Sequence, residues 1–154
     1  MRPKRIIAAA LVIAVLFSMA SFSVFASEFS DAEDHWAKEA IERWAGYSVI
    51  VGYNGFFNPD EPITRAQLAV IMNKIMGYQE TVPNTFGDVE ETWYTDAVLK
   101  LYAAGVMVGD GKNLRPNDKV TREEAVAIIG RALGIPEVDG IPDFADRYSI
   151  SLWA

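Results

Sequence analysis

Residues 29–77 recur as residues 86–134, displaced by 57 positions without a gap. The offset pairs Phe29 with Phe86, Asp31 with Asp88, Trp36 with Trp93 and Ala40 with Ala97. It continues through Val49/Val106, Val51/Val108, Gly52/Gly109, Pro59/Pro116, Thr64/Thr121, Arg65/Arg122, Ile71/Ile128 and Gly77/Gly134. A chain with such self-similarity must build two like units that pack on one another, which narrows the fold before any residue is read singly.

Each unit reads as helix, loop, helix. The first helix is predicted to begin near Asp31 or Ala32 and to present Trp36, Ala40, Ile41 and Trp44, with Trp93, Ala97, Val98, Leu101 and Tyr102 as counterparts. In the second helix Leu68, Ile71, Met72, Ile75 and Met76 step i, i+3, i+4, i+7, i+8, an apolar stripe facing a core. Ala125, Ile128, Ile129, Ala132 and Leu133 repeat it. Thr64 with Gln67, and Thr121 with Glu124, form capping boxes, and Gly77 and Gly134 suit the left-handed residue that ends a helix. Asn54-Gly55 and Asp110-Gly111 are turn dipeptides. The runs 49–51 and 106–108 fit either a brief strand or a helix end turning inward.

Ahead of the repeats, Arg2, Lys4 and Arg5 precede an uncharged apolar run, Ile6 to Phe17, and a stretch ending Val24-Phe25-Ala26. Basic, apolar, then small is the order of a secretory signal, so cleavage after Ala26 is expected. An uncleaved anchor would need about 20 predominantly apolar residues, and Ser18, Ser21 and Ser23 dilute this stretch. No stable membrane span is expected after cleavage. Removal of three basic and no acidic residues takes the net charge from −7 to −10. Nucleic acid is thereby a poor partner, since phosphates call for a basic stripe. The chain has no cysteine, which excludes disulfides and thiolate metal sites.

The order Phe-x-Asp, Trp, then Gly-x-x-x-x-Phe/Leu-x-Pro and Ile/Val-Thr-Arg resembles the S-layer homology family from Phe29 to Gly134. That family's Thr-Arg-Ala-Glu motif stands here as Thr64-Arg65-Ala66-Gln67 and Thr121-Arg122-Glu123-Glu124, each copy departing by one residue. The resemblance implies an all-α fold in which tandem helix-loop-helix repeats form a pseudo-threefold bundle with ligand grooves between neighbours. Three repeats are usual in the family. Phe144-Ala145-Asp146 restarts the motif, and 150–154 reads as the opening of a first helix. The expected division is a signal peptide at 1–26, repeats at 27–80 and 81–140, and the start of a truncated third repeat at 141–154. The resemblance further implies an exported protein of the bacterial cell wall or S-layer. Its role would be non-covalent attachment to a secondary cell-wall polysaccharide bearing pyruvate ketals.

The residues expected to meet that glycan are Arg65 and Arg122. Each follows an N-cap threonine at the positive end of a helix, where a guanidinium fork would match a carboxylate. Thr64, Thr121, Gln67 and Glu124 belong to the same motif. Gly52 and Gly109 suit a left-handed or crowded backbone, and the resemblance implies a place for them near the groove. Trp36 and Trp93 lie on apolar stripes, where core packing is the first expectation and stacking beneath a sugar the second. His35, unmatched in the second copy, reads as a surface helix residue, and Glu33-Asp34 and Glu90-Glu91 as first-turn acids. Residues 110–124 lack the spacing of a calcium loop. No catalytic constellation, metal site or cofactor motif emerges, so an anchoring module rather than an enzyme is expected. Two other readings keep the same anchor: the N-terminal part of a self-assembling lattice protein, or of an exported polysaccharide-degrading enzyme. Apolar stripes left uncovered by an incomplete third repeat imply a tendency to self-associate.

Overall fold

A computed structural model of the chain describes residues 29–136 and 145–151. The signal-peptide reading, Phe144 and the last three residues lie outside them. The described residues form four α-helices, α1 (Lys38–Gly46), α2 (Arg65–Met76), α3 (Thr95–Ala103) and α4 (Arg122–Ala132), followed by a 3-10 turn at Arg147–Ser149. The expected all-α class holds. Among these residues the only extended pairings are the isolated bridges Tyr53–Phe56 and Thr64–Lys119.

The second helix of each repeat starts where its threonine predicts. The Thr64 side chain accepts from the Gln67 N–H at 3.2 Å while the Gln67 carboxamide oxygen accepts from the Thr64 N–H at 2.7 Å. Thr121 and Glu124 do the same at 3.2 and 3.0 Å. Gly77 ends α2 at φ 70°, the left-handed conformation that glycine adopts without a Cβ penalty.

The first helices begin later than Asp31 or Ala32 and their counterparts. Before α1 the chain takes successive three-residue turns, with N–H bonds from Ala32 to Phe29, His35 to Ala32 and Lys38 to His35. Asp31 is unavailable as a cap because both its oxygens are engaged across the repeat. They accept the Phe57 and Asn58 N–H groups at 2.9 and 2.7 Å. Asp88 accepts those of Leu114 and Arg115 at 3.1 and 2.7 Å. These bonds hold Asn58 and Arg115 at φ 57° and 53°, a left-handed conformation rare outside glycine. Glu33-Asp34 and Glu90-Glu91 consequently precede the helices rather than forming their first turns. His35 is a tie, not a surface helix residue. Its Nδ1 accepts the Ala37 N–H at 3.2 Å, which leaves Nε2 to donate to Asp60 at 3.3 Å.

The runs after α1 and α3 are helix ends whose first two residues turn inward and whose last, Val51 and Val108, are exposed. The N–H groups of Val106 and Met107 both reach back to the Leu101 carbonyl, at 2.9 and 3.1 Å, and both side chains are buried.

The sequence repeat is not the packing unit. Helix α2 packs on α3 and α4 of the second repeat and makes no comparable contact with α1 of its own. The main core joins Ala66, Leu68, Ala69 and Met72 of α2 to Tyr94, Val98, Leu101, Met107, Leu114 and Ile128. A smaller cluster of Phe29, Ala32 and Ile41 closes the first repeat. Positions of α2 that the second repeat covers therefore have bare counterparts on α4: Ala69 is 0% exposed and Val126 65%, Met72 6% and Ile129 40%.

Candidate functional site

The junction between the repeats is built by the start of α2. Its first two N–H groups, from Arg65 and Ala66, donate to the Asp118 and Pro116 carbonyls, both at 2.9 Å. The Val120 N–H returns to the Ile63 carbonyl, and Lys119 Nζ to that of Pro62, both at 3.0 Å. The positive end of α2 is thus satisfied by the second repeat rather than held open for an anion.

Arg65 follows the backbone into that repeat. It is 2% exposed. Its Nε donates to the Leu114 carbonyl at 3.0 Å, Nη2 to the Val108 carbonyl at 2.8 Å, and Nη1 to Glu124 Oε1 at 3.0 Å. The expectation of a guanidinium fork presented to solvent is corrected at this residue. The penalty for a cation at a helix N-terminus is avoided because the side chain leads away to a cage of acceptors. Burial pulls the Arg65 pKa below the usual arginine range, and Glu124 opposes that pull.

Glu124 is the hub. Oε1 takes both Arg65 and Arg115, the latter at 2.7 Å, while Oε2 completes the capping box. Desolvation, the largest influence on its carboxyl, raises the pKa. The Thr121 N–H and the two arginines outweigh it, so the group stays below its ordinary 4.5.

Above this network opens a cleft of about 350 Å³ lined by Arg65, Val108, Gly109, Asp110, Arg115, Glu124, Ile128 and Arg131. Glycine is required at position 109 by crowding, not by a left-handed backbone, since a Cβ there would run into the Asn113 carbonyl. Gly52 is crowded in the same way by Phe29 and the Phe56 carbonyl. Asp110 is fixed by the Lys112 and Asn113 N–H groups at 3.0 and 2.9 Å, which hold its carboxyl below the usual range.

Of the residues expected at a glycan site, the structure gathers Arg65, Gly109 and Glu124 in this cleft, with Thr121 behind Glu124. Thr64 and Gln67 cap α2, and Gly52 lies in the first repeat, outside the cleft lining. Arg122 is exposed at the start of α4, also outside the lining, and its side chain makes no hydrogen bond or ion pair among the described residues. Core packing fails for both tryptophans. Trp36 is 90% and Trp93 67% exposed, because each falls before its helix in the turns that delay it. Sequence reasoning missed Arg115 and Arg131. Both stand where the repeats differ, at the counterparts of Asn58 and Lys74, so a search for identities passes over them. Among the described residues no group of acidic and histidine side chains could hold a metal ion, and no helix is long and apolar enough to cross a membrane.

The S-layer homology domain model matches residues 28–69 and 85–126, which hold all of the cleft lining but Ile128 and Arg131. The chain belongs to the S-layer homology family. It is 36% identical to an amylopullulanase of Thermoanaerobacterium thermosulfurigenes over 91% of its own length and 8% of that protein. It is 38% identical to the exoglucanase XynX of Acetivibrio thermocellus over 82% of its length and 12% of the relative. With the surface-layer 125 kDa protein of Lysinibacillus sphaericus the figures are 32%, 77% and 10%. The chain thus spans about a tenth of the length of these curated relatives. An S-layer homology domain is a cell-surface anchoring module rather than a catalytic one, and the chain is assigned to the cell wall and surface.

Proposed function

We propose that the chain holds an exported protein on the wall by binding an acidic, pyruvylated secondary cell-wall polysaccharide in the cleft between its two repeats. The observation that supports this most is the cleft itself. Three guanidiniums converge there against two carboxylates, in a chain whose overall charge is strongly negative. At physiological salt exposed charges are screened within about 8 Å, so a local cationic site outweighs distant carboxylates. Trp93, exposed at the start of the second repeat, is the aromatic surface offered to a sugar ring.

The test is co-sedimentation of the full chain with wall sacculi carrying their polysaccharide, and with sacculi whose ketals have been removed by mild acid. Pelleting with the first and not with the second is expected. Equal retention by the sacculi without ketals would overturn the reading. The cargo follows from the relatives. Two of them are named as glycan-degrading enzymes and one as a surface-layer protein, each far longer than this chain. An anchor for a polysaccharide-degrading enzyme or for a lattice subunit is therefore the role proposed for the segment.

A further inference from the structure

The cleft's arginines are not equivalent. Arg65 is buried and commits a nitrogen to each of three acceptors, and Arg115 is drawn onto Glu124 at 2.7 Å. Arg131, in the last turn of α4, is exposed on the cleft wall, and its side chain makes no hydrogen bond or ion pair among the described residues. Its counterpart in the first repeat is engaged differently. Lys74 Nζ donates to the Ser48 carbonyl at 2.8 Å, tying α2 to the end of α1.

We infer that Arg131 is the ligand-contacting cation of this cleft, that it takes a single carboxylate, and that the chain holds one such site. This deepens the proposed function and rests on it. Glu124 is already matched by the two arginines it bridges, and Asp110 by the loop amides that bind it. Arg65 pairs with Glu124, and Arg115 with Glu124 and, at 3.9 Å, with Asp118, so Arg131 is the one guanidinium of the lining with no carboxylate partner among the described residues. Arg131 presents a planar fork to the two oxygens of that carboxylate. Offset by 57 positions, the same wall in the first repeat carries Tyr53, Asn58, Gln67 and Lys74 in place of Asp110, Arg115, Glu124 and Arg131. Its lysine donates to the Ser48 carbonyl, and its carboxylate and second guanidinium are replaced by neutral amides, so the arrangement of guanidiniums around a carboxylate is not repeated there.

Isothermal titration calorimetry on the full chain tests this. The probes are a synthetic N-acetylhexosamine glycoside bearing a pyruvate ketal and the methyl ester of that ketal. One molecule of the acid is expected per chain, with the ester bound at least about tenfold more weakly. Arg131→Gln should lose about tenfold or more in affinity, Arg131→Lys should recover part of it, and Lys74→Gln should stay within about twofold of the parent chain. Melting temperatures of the Arg131 variants should be unchanged, which separates a lost contact from a damaged fold. Parental affinity in Arg131→Gln, two sites per chain, or equal binding of acid and ester would each overturn the inference. A parent chain that binds neither this probe nor ketal-bearing sacculi would bring down the functional reading, and the inference with it.

Discussion

Replacing Arg65 by alanine should cost the fold far more than the same change at Arg122, although the two arginines hold one place in one motif. The Arg65 guanidinium is buried and bonded to the Leu114 and Val108 carbonyls and to Glu124. Its removal strands the buried Leu114 carbonyl and the part-buried Val108 carbonyl, opens space at the junction of the repeats and leaves Glu124 with Arg115 as its one remaining cation. Breaking a buried ion pair costs about 3–5 kcal/mol. Because Arg115 stays to neutralise Glu124, the lower end applies, about 3 kcal/mol. For a domain of this size that is a fall of about 12 °C in melting temperature, at about 4 °C per kcal/mol. Arg122, exposed and unpaired among the described residues, should change stability by no more than about 0.5 kcal/mol. Thermal unfolding followed by circular dichroism at 222 nm, with urea denaturation for the free energies, measures both. A double cycle of Arg65→Ala with Glu124→Gln should show a coupling of at least about 1 kcal/mol. If Arg65→Ala melts within about 2 °C of the parent, the guanidinium does not brace the two repeats and the account of the junction is wrong.

Two further outcomes follow from the same network. Glu124 is held below its ordinary 4.5 in the folded chain, so the stability it supplies is present above that pH and is lost as pH falls through the depressed value. Glu124→Gln should therefore flatten the acid limb of a stability–pH curve below about pH 4.5, and an unchanged acid limb would refute the assignment. Gly109→Ala drives a Cβ into the Asn113 carbonyl and should destabilise by about 1–3 kcal/mol, while Gly46→Ala, with open space around it, should not; equal melting of the two variants would count against the crowded-backbone account.

What the sequence carried on its own was the local half of the structure. The helix type, the two capping boxes and the glycine stop at Gly77 depend on residues a few positions apart, so motif and spacing suffice, whereas the crowding at Gly52 comes partly from Phe29 in a distant part of the chain. The Phe-x-Asp motif was visible as a repeat but misread as a helix start. The carboxylate of Asp31 binds amides 26 and 27 residues away, and no local rule reveals that choice. The exposure of Trp36 and Trp93 followed from the same misplacement, since side chains in the turns before a helix do not share its buried stripe. Family, class and cell-surface role were legible because two copies of one motif leave little room for another reading.

Only tertiary structure decided what the two motif arginines do. Each repeat specifies the same Thr-Arg start, yet α2 meets the second repeat and α4 meets no equivalent neighbour among the described residues. One arginine is therefore buried in a cage of acceptors and the other stands in solvent. The cleft likewise takes Arg65 from one repeat and Glu124, Arg115 and Arg131 from the other, a set that no single copy contains. A repeat encodes its own turns and caps. The interface belongs to the pair, because burial and charge neutralisation arise only when the second unit removes the first from water.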